Sequence, residues 1–213
     1  MPNKILSLLQ RKNSPDKKLS SAIFNLVVRI PASREQTSPQ PALAARQITQ
    51  AAARKAAIAA GSLALPPGPL GWLTLLPELL AVWRIQAQLV SDLAALYGKR
   101  AQLNREQMAY CLFRHLASQA VRDLVVRAGE RFLVTQASSQ LLQSIIERIG
   151  KQIAHKLLGK SVSRWLPLLG AIGVGAYAYF DTRKVATTAI ALFEKEIALQ
   201  AAPISKSTDS TLG

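Results

Sequence analysis

Ser138 to Trp165 reads SSQLLQSIIERIGKQIAHKLLGKSVSRW, and its apolar spacing decides the fold class. Leu141, Leu142, Ile145, Ile146, Ile149, Ile153 and Leu157 recur at steps of three and four, which places them on one face of a helix. On the opposite face Arg148, Gln152, Lys156, Lys160 and Arg164 follow at every fourth position, with Lys151 beside them. Gly159 and the serines around Val162 weaken the end of this stripe, because both residue types are poor in helix interiors. Outward from this segment, Ala, Leu, Gln, Arg and Lys dominate, and no run shows sustained period-two alternation between hairpin turns. The expectation is an all-α fold, a single compact helical domain.

The punctuation residues divide the chain. A first helix runs from about Ala42 to Leu65 and is broken by Pro66-Pro67-Gly68-Pro69. A second runs from Leu70 to Gly98, a C-terminal cap followed by Lys99 and Arg100. Asn104 caps a third, with Met108, Cys111, Leu112, His115 and Leu116 on one face, and Gly129 interrupts the stretch after it. Pro167 introduces an apolar helix over Leu168–Phe180; Asp181, Arg183 and Lys184 then lead into a last amphipathic helix. Residues 1–40 carry Lys4, Arg11, Lys12, Lys17, Lys18, Arg29 and Arg34 against Asp16 and Glu35, with four prolines, and read as a basic, flexible arm. Within it, Ser21–Ile30 has the composition of a short strand or helical turn. The helical domain is expected over 41–200 and a disordered, Ser/Thr-rich tail over 201–213.

Two apolar, Gly/Pro/Ala-rich helical hairpin segments are expected at the core. Ala56 to Pro77 carries no charge, yet its proline cluster cuts it into two short arms and Glu78 follows at once. Trp165 to Phe180 is also uncharged and gives about 24 Å of helix, against a hydrocarbon core of about 30 Å. Both runs have cations at both ends: Arg54 and Lys55 with Arg84, and Lys160 and Arg164 with Arg183 and Lys184. A single crossing would carry one cationic flank to the far side, against the positive-inside rule. Burial in the protein or a dip that returns to the same face fits better than a span. Their small residues let two backbones approach closely, so the two segments are expected to pack together.

The chain is oily and strongly basic: 49% hydrophobic, 18% charged, with 27 Lys and Arg against 12 Asp and Glu, a formal charge of +15. That pairing suits an anionic membrane surface. One cysteine, Cys111, excludes an internal disulfide and suits a reducing compartment. Arg11 and Lys12 end the first apolar burst before a signal-peptide core develops. The two histidines, His115 and His155, lack metal-ligand spacing. Gly170, Gly173 and Gly175 do not match a nucleotide loop, and no serine has triad partners. No catalytic residue, metal or cofactor is expected. Glu78 and Asp181 interrupt apolar runs and read as structural acids, with Arg183 or a cation of another helix as the partner for Asp181. The basic stripe lacks interleaved aromatics, which disfavours nucleic acid. Trp72, Trp83 and Trp165 lie near the ends of apolar runs, where indole suits a water–lipid interface or anchors a core.

Gly61-Ser62-Leu63-Ala64-Leu65-Pro66-Pro67-Gly68-Pro69-Leu70-Gly71, Leu76-Pro77-Glu78-Leu79 and Val90-Ser91-Asp92-Leu93-Ala94-Ala95-Leu96-Tyr97-Gly98 resemble the first half of the EcsC protein family. Leu166-Pro167-Leu168-Leu169-Gly170-Ala171-Ile172-Gly173, Asp181 and Ala186–Phe193 resemble its second half. Where the family commonly shows Asp-Leu-Pro, this chain has Pro77-Glu78-Leu79. The resemblance implies a bacterial, helical, membrane-associated protein, linked through the family's name to a transporter operon, and it carries no catalytic residue with it. The expected function is non-catalytic attachment to the cytoplasmic face of a membrane. Arg148, Lys151, Lys156, Lys160, Arg164, Arg183 and Lys184 would meet anionic headgroups, and a membrane protein such as a transporter is a further expected partner. The alternatives are an integral protein with re-entrant or spanning hairpins and, more weakly, a nucleic-acid-binding protein or an enzyme acting on lipid.

Overall fold

The computed structural model describes residues 15–63, 71–128, 131–134, 137–158 and 167–201, and it is all-α but for one small hairpin. The helices are α1 (Pro15–Val28), α2 (Pro41–Leu63), α3 (Gly71–Leu96), α4 (Arg105–Phe113), α5 (Ser118–Val121), α6 (Ser139–Leu158) and α7 (Pro167–Ala201). A 3-10 turn at Arg122–Leu124 leads into antiparallel strands β1 (Val125–Ala128) and β2 (Arg131–Val134), with Val125 opposite Val134 and Ala128 opposite Arg131. The chain was expected to be helical here. Four-residue strands are too short to show a period, and the signal lies in the β-branched Val125-Val126 pair and the two-residue Gly129-Glu130 connection.

α3 is the central helix. Trp83, Gln86, Ala87, Leu89, Val90, Leu93, Ala94 and Leu96 are all buried along it, so it is covered on most sides. Its segment Leu79–Leu96 is long and apolar enough to cross a membrane, but most of it is inside the domain, as expected of a core helix. It ends as expected at Gly98, whose φ of 68° suits glycine. There the Lys99 amide donates to Ala94 O (2.6 Å) and the Gly98 amide to Ala95 O (2.9 Å), the Schellman pairing that satisfies the last carbonyls. The Asn104 cap also forms: Gln107 N donates to Asn104 Oδ1 (2.8 Å), and Asn104 N donates to Gln107 Oε1 (3.2 Å). α4 ends at Phe113, so His115 and Leu116 lie in the turn beyond it.

The flexible arm expected over 1–40 is corrected for its described part. Proline at the first position of α1 is compatible with a helix start, and Leu19, Ile23 and Val27 recur at every fourth residue and are buried in the main core. The contact of α1 with α6 is close: a Cβ on Gly150 would collide with Ser20 Oγ and stand 3.3 Å from Ser20 Cα. Residues 30–38 then run along α3 without regular structure. Ser91 Oγ donates to Pro31 O (2.6 Å), Gln88 Nε2 to Ala32 O (3.1 Å), and Ser38 N to Leu96 O (3.0 Å). The expected tail, from 202 onward, lies outside the described residues.

α7 is one helix of 35 residues, where two helices meeting near Asp181 were expected. Nothing at Asp181 breaks it, since the side chain turns inward and Thr182 Oγ1 donates back to Ala178 O (2.8 Å) within the helix. Its C-terminal half joins the main core through Val185, Ala186, Ala189, Leu192 and Phe193. Tyr97 closes this end: its hydroxyl donates to Glu194 Oε1 at 3.0 Å. Burial, and then the bond to and charge of Glu194, push the Tyr97 phenol up to about 12.

Two outcomes are expected. Gly150→Ala gains helix propensity but forces α1 outward, for a net loss of about 1 kcal/mol in urea unfolding; an unchanged or raised midpoint would show that α1 is not docked on α6. The folded chain holds the Tyr97 proton above the ordinary pKa of 10, so the associated stability is present below pH 10 and is lost as pH climbs through about 12. A near-ultraviolet titration should show one phenol ionising near pH 12, and that step should vanish in Tyr97→Phe.

Candidate functional site

No charged residue occurs between Pro167 and Phe180, and this half of α7 is apolar around its circumference. One side of it packs. Gly175 is buried against α2, where an added Cβ would meet the Ala57 carbonyl oxygen at 3.0 Å and approach Gly61 Cα at 3.9 Å. Around that approach Ala56, Ala60, Val82 and Ala178 form a small cluster separate from the main core, with Ile85 against it. The expected pairing of the two small-residue segments is therefore present, but it lies beyond the main core rather than at its centre. The described part of the second segment, from Pro167, is helical throughout and not a hairpin.

The other side of α7 is bare. Ile172 is 66% exposed, Tyr177 61% and Phe180 58%, and Ile58 on α2 is 71% exposed. Cations stand close by in the same three helices: Arg54 and Lys55 on α2, Arg84 on α3, Arg183 and Lys184 on α7, all exposed. Arg183 leans over the Tyr179 ring, with Cζ 5.9 Å from its centroid, and Tyr179 meets Phe180 edge to face at 5.6 Å. An apolar surface bordered by cations offers dispersion and burial to hydrocarbon and charge to phosphate.

The sequence-predicted cations are divided between two surfaces. Arg148 and Lys151 are exposed on α6, which packs against α1 and α5; Arg183 and Lys184 are exposed on α7, which packs against α2, α3 and α4. Lys151 shares a groove with Lys17 and Phe24, whereas Arg183 shares one with Arg46 and Tyr179. Lys156 falls on α6 but its side chain lies outside the described residues, as do Lys160, Arg164 and Trp165 entirely. The side chains of Trp72 and Glu78, both on α3, are likewise outside them. Trp83 is corrected: it is 2% exposed and packs edge to face on Phe113 at 5.3 Å, so it anchors the core and does not meet an interface.

Asp181, read from the sequence as a structural acid, is buried, and the partners the structure gives it do not include Arg183. It is 6% exposed and accepts from His115 Nε2 at 2.5 Å and from Gln86 Nε2 at 2.8 Å. Gln86 Nε2 also reaches Thr182 Oγ1 at 3.2 Å. Desolvation, followed by the Asp181 carboxylate, pushes the Tyr177 phenol up. The cluster binds α3, the turn after α4 and α7 together at mid-height. The pair is nearly closed to solvent, and beside it His115 Nδ1 and Gln86 Oε1 are buried without a hydrogen-bond partner. Among the described residues no three His, Cys, Asp or Glu side chains converge as metal ligands.

Sequence reasoning passed over His115 and Gln86, which lie far from Asp181 along the chain. Their signal was the single acid in an apolar run, which demands a buried donor. His115→Ala should cost about 2–4 kcal/mol in unfolding free energy by stranding the carboxylate. Combined with Asp181→Ala it should cost less than the sum of the single changes, and strict additivity would show that the pair does not interact.

One comparison with known families gives a match. The model of the EcsC protein family matches residues 17–196, a range that takes in α1 as well as the two apolar segments. Comparison with curated proteins and with solved structures gives no match. On the extent of the family match, which covers most of its length, the chain belongs to the EcsC protein family.

Proposed function

We propose that this EcsC-family chain is a non-catalytic protein held peripherally on the cytoplasmic face of a membrane, where it binds anionic phospholipid. The observation that carries the reading is the exposed apolar half of α7 beside exposed Arg183 and Lys184. A net charge of +15 supplies long-range attraction to such a surface, and each cation near it adds about 1 kcal/mol. The apolar residues supply a contribution that salt does not screen, about 25 cal/mol per Å² removed from water. A membrane protein, such as a transporter, is a partner that an attached domain of this kind could meet.

Co-sedimentation with phosphatidylglycerol-containing and with pure phosphatidylcholine vesicles across a salt series tests the reading. Binding should favour the anionic vesicles at least tenfold, weaken with salt, and retain a salt-resistant remainder. Equal binding to both vesicle types, or retention on DNA without vesicle binding, would sink it.

A further inference from the structure

We infer that the tip formed by α2 and the first half of α7 is the surface that enters the bilayer, dipping into one leaflet while Arg54, Lys55, Arg84, Arg183 and Lys184 stay among the headgroups. The inference rests on the membrane attachment proposed above and assigns it to one end of the molecule.

The two helices run antiparallel. Gly175 lies against Ala57 and Gly61, while Arg46, Thr49 and Gln50 share a groove with Tyr179, Arg183 and Ile190. Climbing α2 in sequence therefore corresponds to descending α7. Above the level of Gly175 and Ala57, α7 continues to Pro167 and α2 to Leu63, about 12 Å and 9 Å at 1.5 Å per residue. One leaflet contributes about 15 Å of hydrocarbon, so the described length of both helices fits within a single leaflet.

Below that level come the cations. Arg54 and Lys55 lie about one turn beneath, and Arg183 and Lys184 about two turns beneath, on the neighbouring helix. Arg84 is carried by α3 next to Val82 and Ile85 of the small cluster. The interval between the upper and lower cations is about 8 Å, comparable to the headgroup layer of about 5–8 Å and within the reach of Lys and Arg side chains. Phe180 falls inside this interval and Tyr177 at its upper edge, at the depth where aromatic rings favour the interface. The charge complement of this band is an anionic headgroup. For the first run this geometry keeps both cationic flanks, Arg54 with Lys55 and Arg84, on one side, which a crossing helix could not do, while Lys160 and Arg164 before the second run lie outside the described residues. Arg148 and Lys151, on the α1–α6 side, stay in water.

Two single-cysteine probes decide it. Ile172→Cys and Lys151→Cys, each in a Cys111→Ala background, are labelled with a nitrobenzoxadiazole dye and mixed with phosphatidylcholine–phosphatidylglycerol vesicles. The dye at 172 should shift to the blue and be quenched by acyl-chain nitroxide lipids, while the dye at 151 stays aqueous. The paired change Ile172→Ser with Phe180→Ser should weaken binding at least tenfold without lowering the melting temperature, since both residues are exposed. Binding with the dye at 151 shielded and that at 172 aqueous would overturn the tip assignment and leave membrane attachment standing. Unaltered binding by the serine pair would also overturn the tip assignment. No binding at all would overturn both readings, as would a dimer held through the tip that the serine pair dissociates and that ignores vesicles.

Discussion

The Asp181 carboxylate, held between His115 and Gln86, marks the height at which α7 stops being a core helix and becomes a projecting one. Below it, Val185, Ala189, Leu192 and Phe193 are packed into the main core. Above it, among the described side chains, Gly175 and Ala178 are buried while Ile172, Tyr177 and Phe180 are exposed. A buried carboxylate is costly without donors, so its partners fix the position of α7 against α3 and the α4 turn. Sliding the helix by one turn would leave the acid, the imidazole and the amide unpaired together. The placement of the exposed apolar surface follows from that constraint.

Small residues set the second condition. Ala53, Ala56 and Ala60 on α2 and Gly175 and Ala178 on α7 bring two backbones within contact distance. Helices packed through such flat surfaces bury little area per residue and need little side-chain ordering. Their bulkier residues, Ile58, Ile172, Tyr177 and Phe180, are thereby turned outward. In water that exposure is unfavourable, and it becomes favourable against hydrocarbon. The same sequence feature that permits close approach thus also creates the surface assigned to the membrane.

The main core has a different logic. α3 is surrounded by α1, α2, α4 and α7, and α6 is joined to it through α1. Trp83 and Phe113 interlock at its centre. Residues 30–38 pass along α3 by side-chain hydrogen bonds from Gln88 and Ser91. An apparent basic leader becomes an integral layer because Leu19, Ile23 and Val27 have a face to fill on α6.

Much of the local structure was legible in the residues. The stripe from Leu142 to Ile153, the Asn104 cap and the Gly98 terminus all depend on neighbours a few positions apart, and such interactions are written in the sequence itself. The depth of Trp83, the joining of α7 through Asp181, the docking of α1 and the separation of Arg148 from Arg183 were not. Each depends on which distant surface a side chain meets, and an amphipathic pattern names a buried face without naming the partner that buries it. The sequence alone therefore determined an all-helical, strongly basic chain with two uncharged segments of small residues. Only the tertiary structure decided which cations border those segments, because helices that pair antiparallel bring to one level residues that the chain holds far apart.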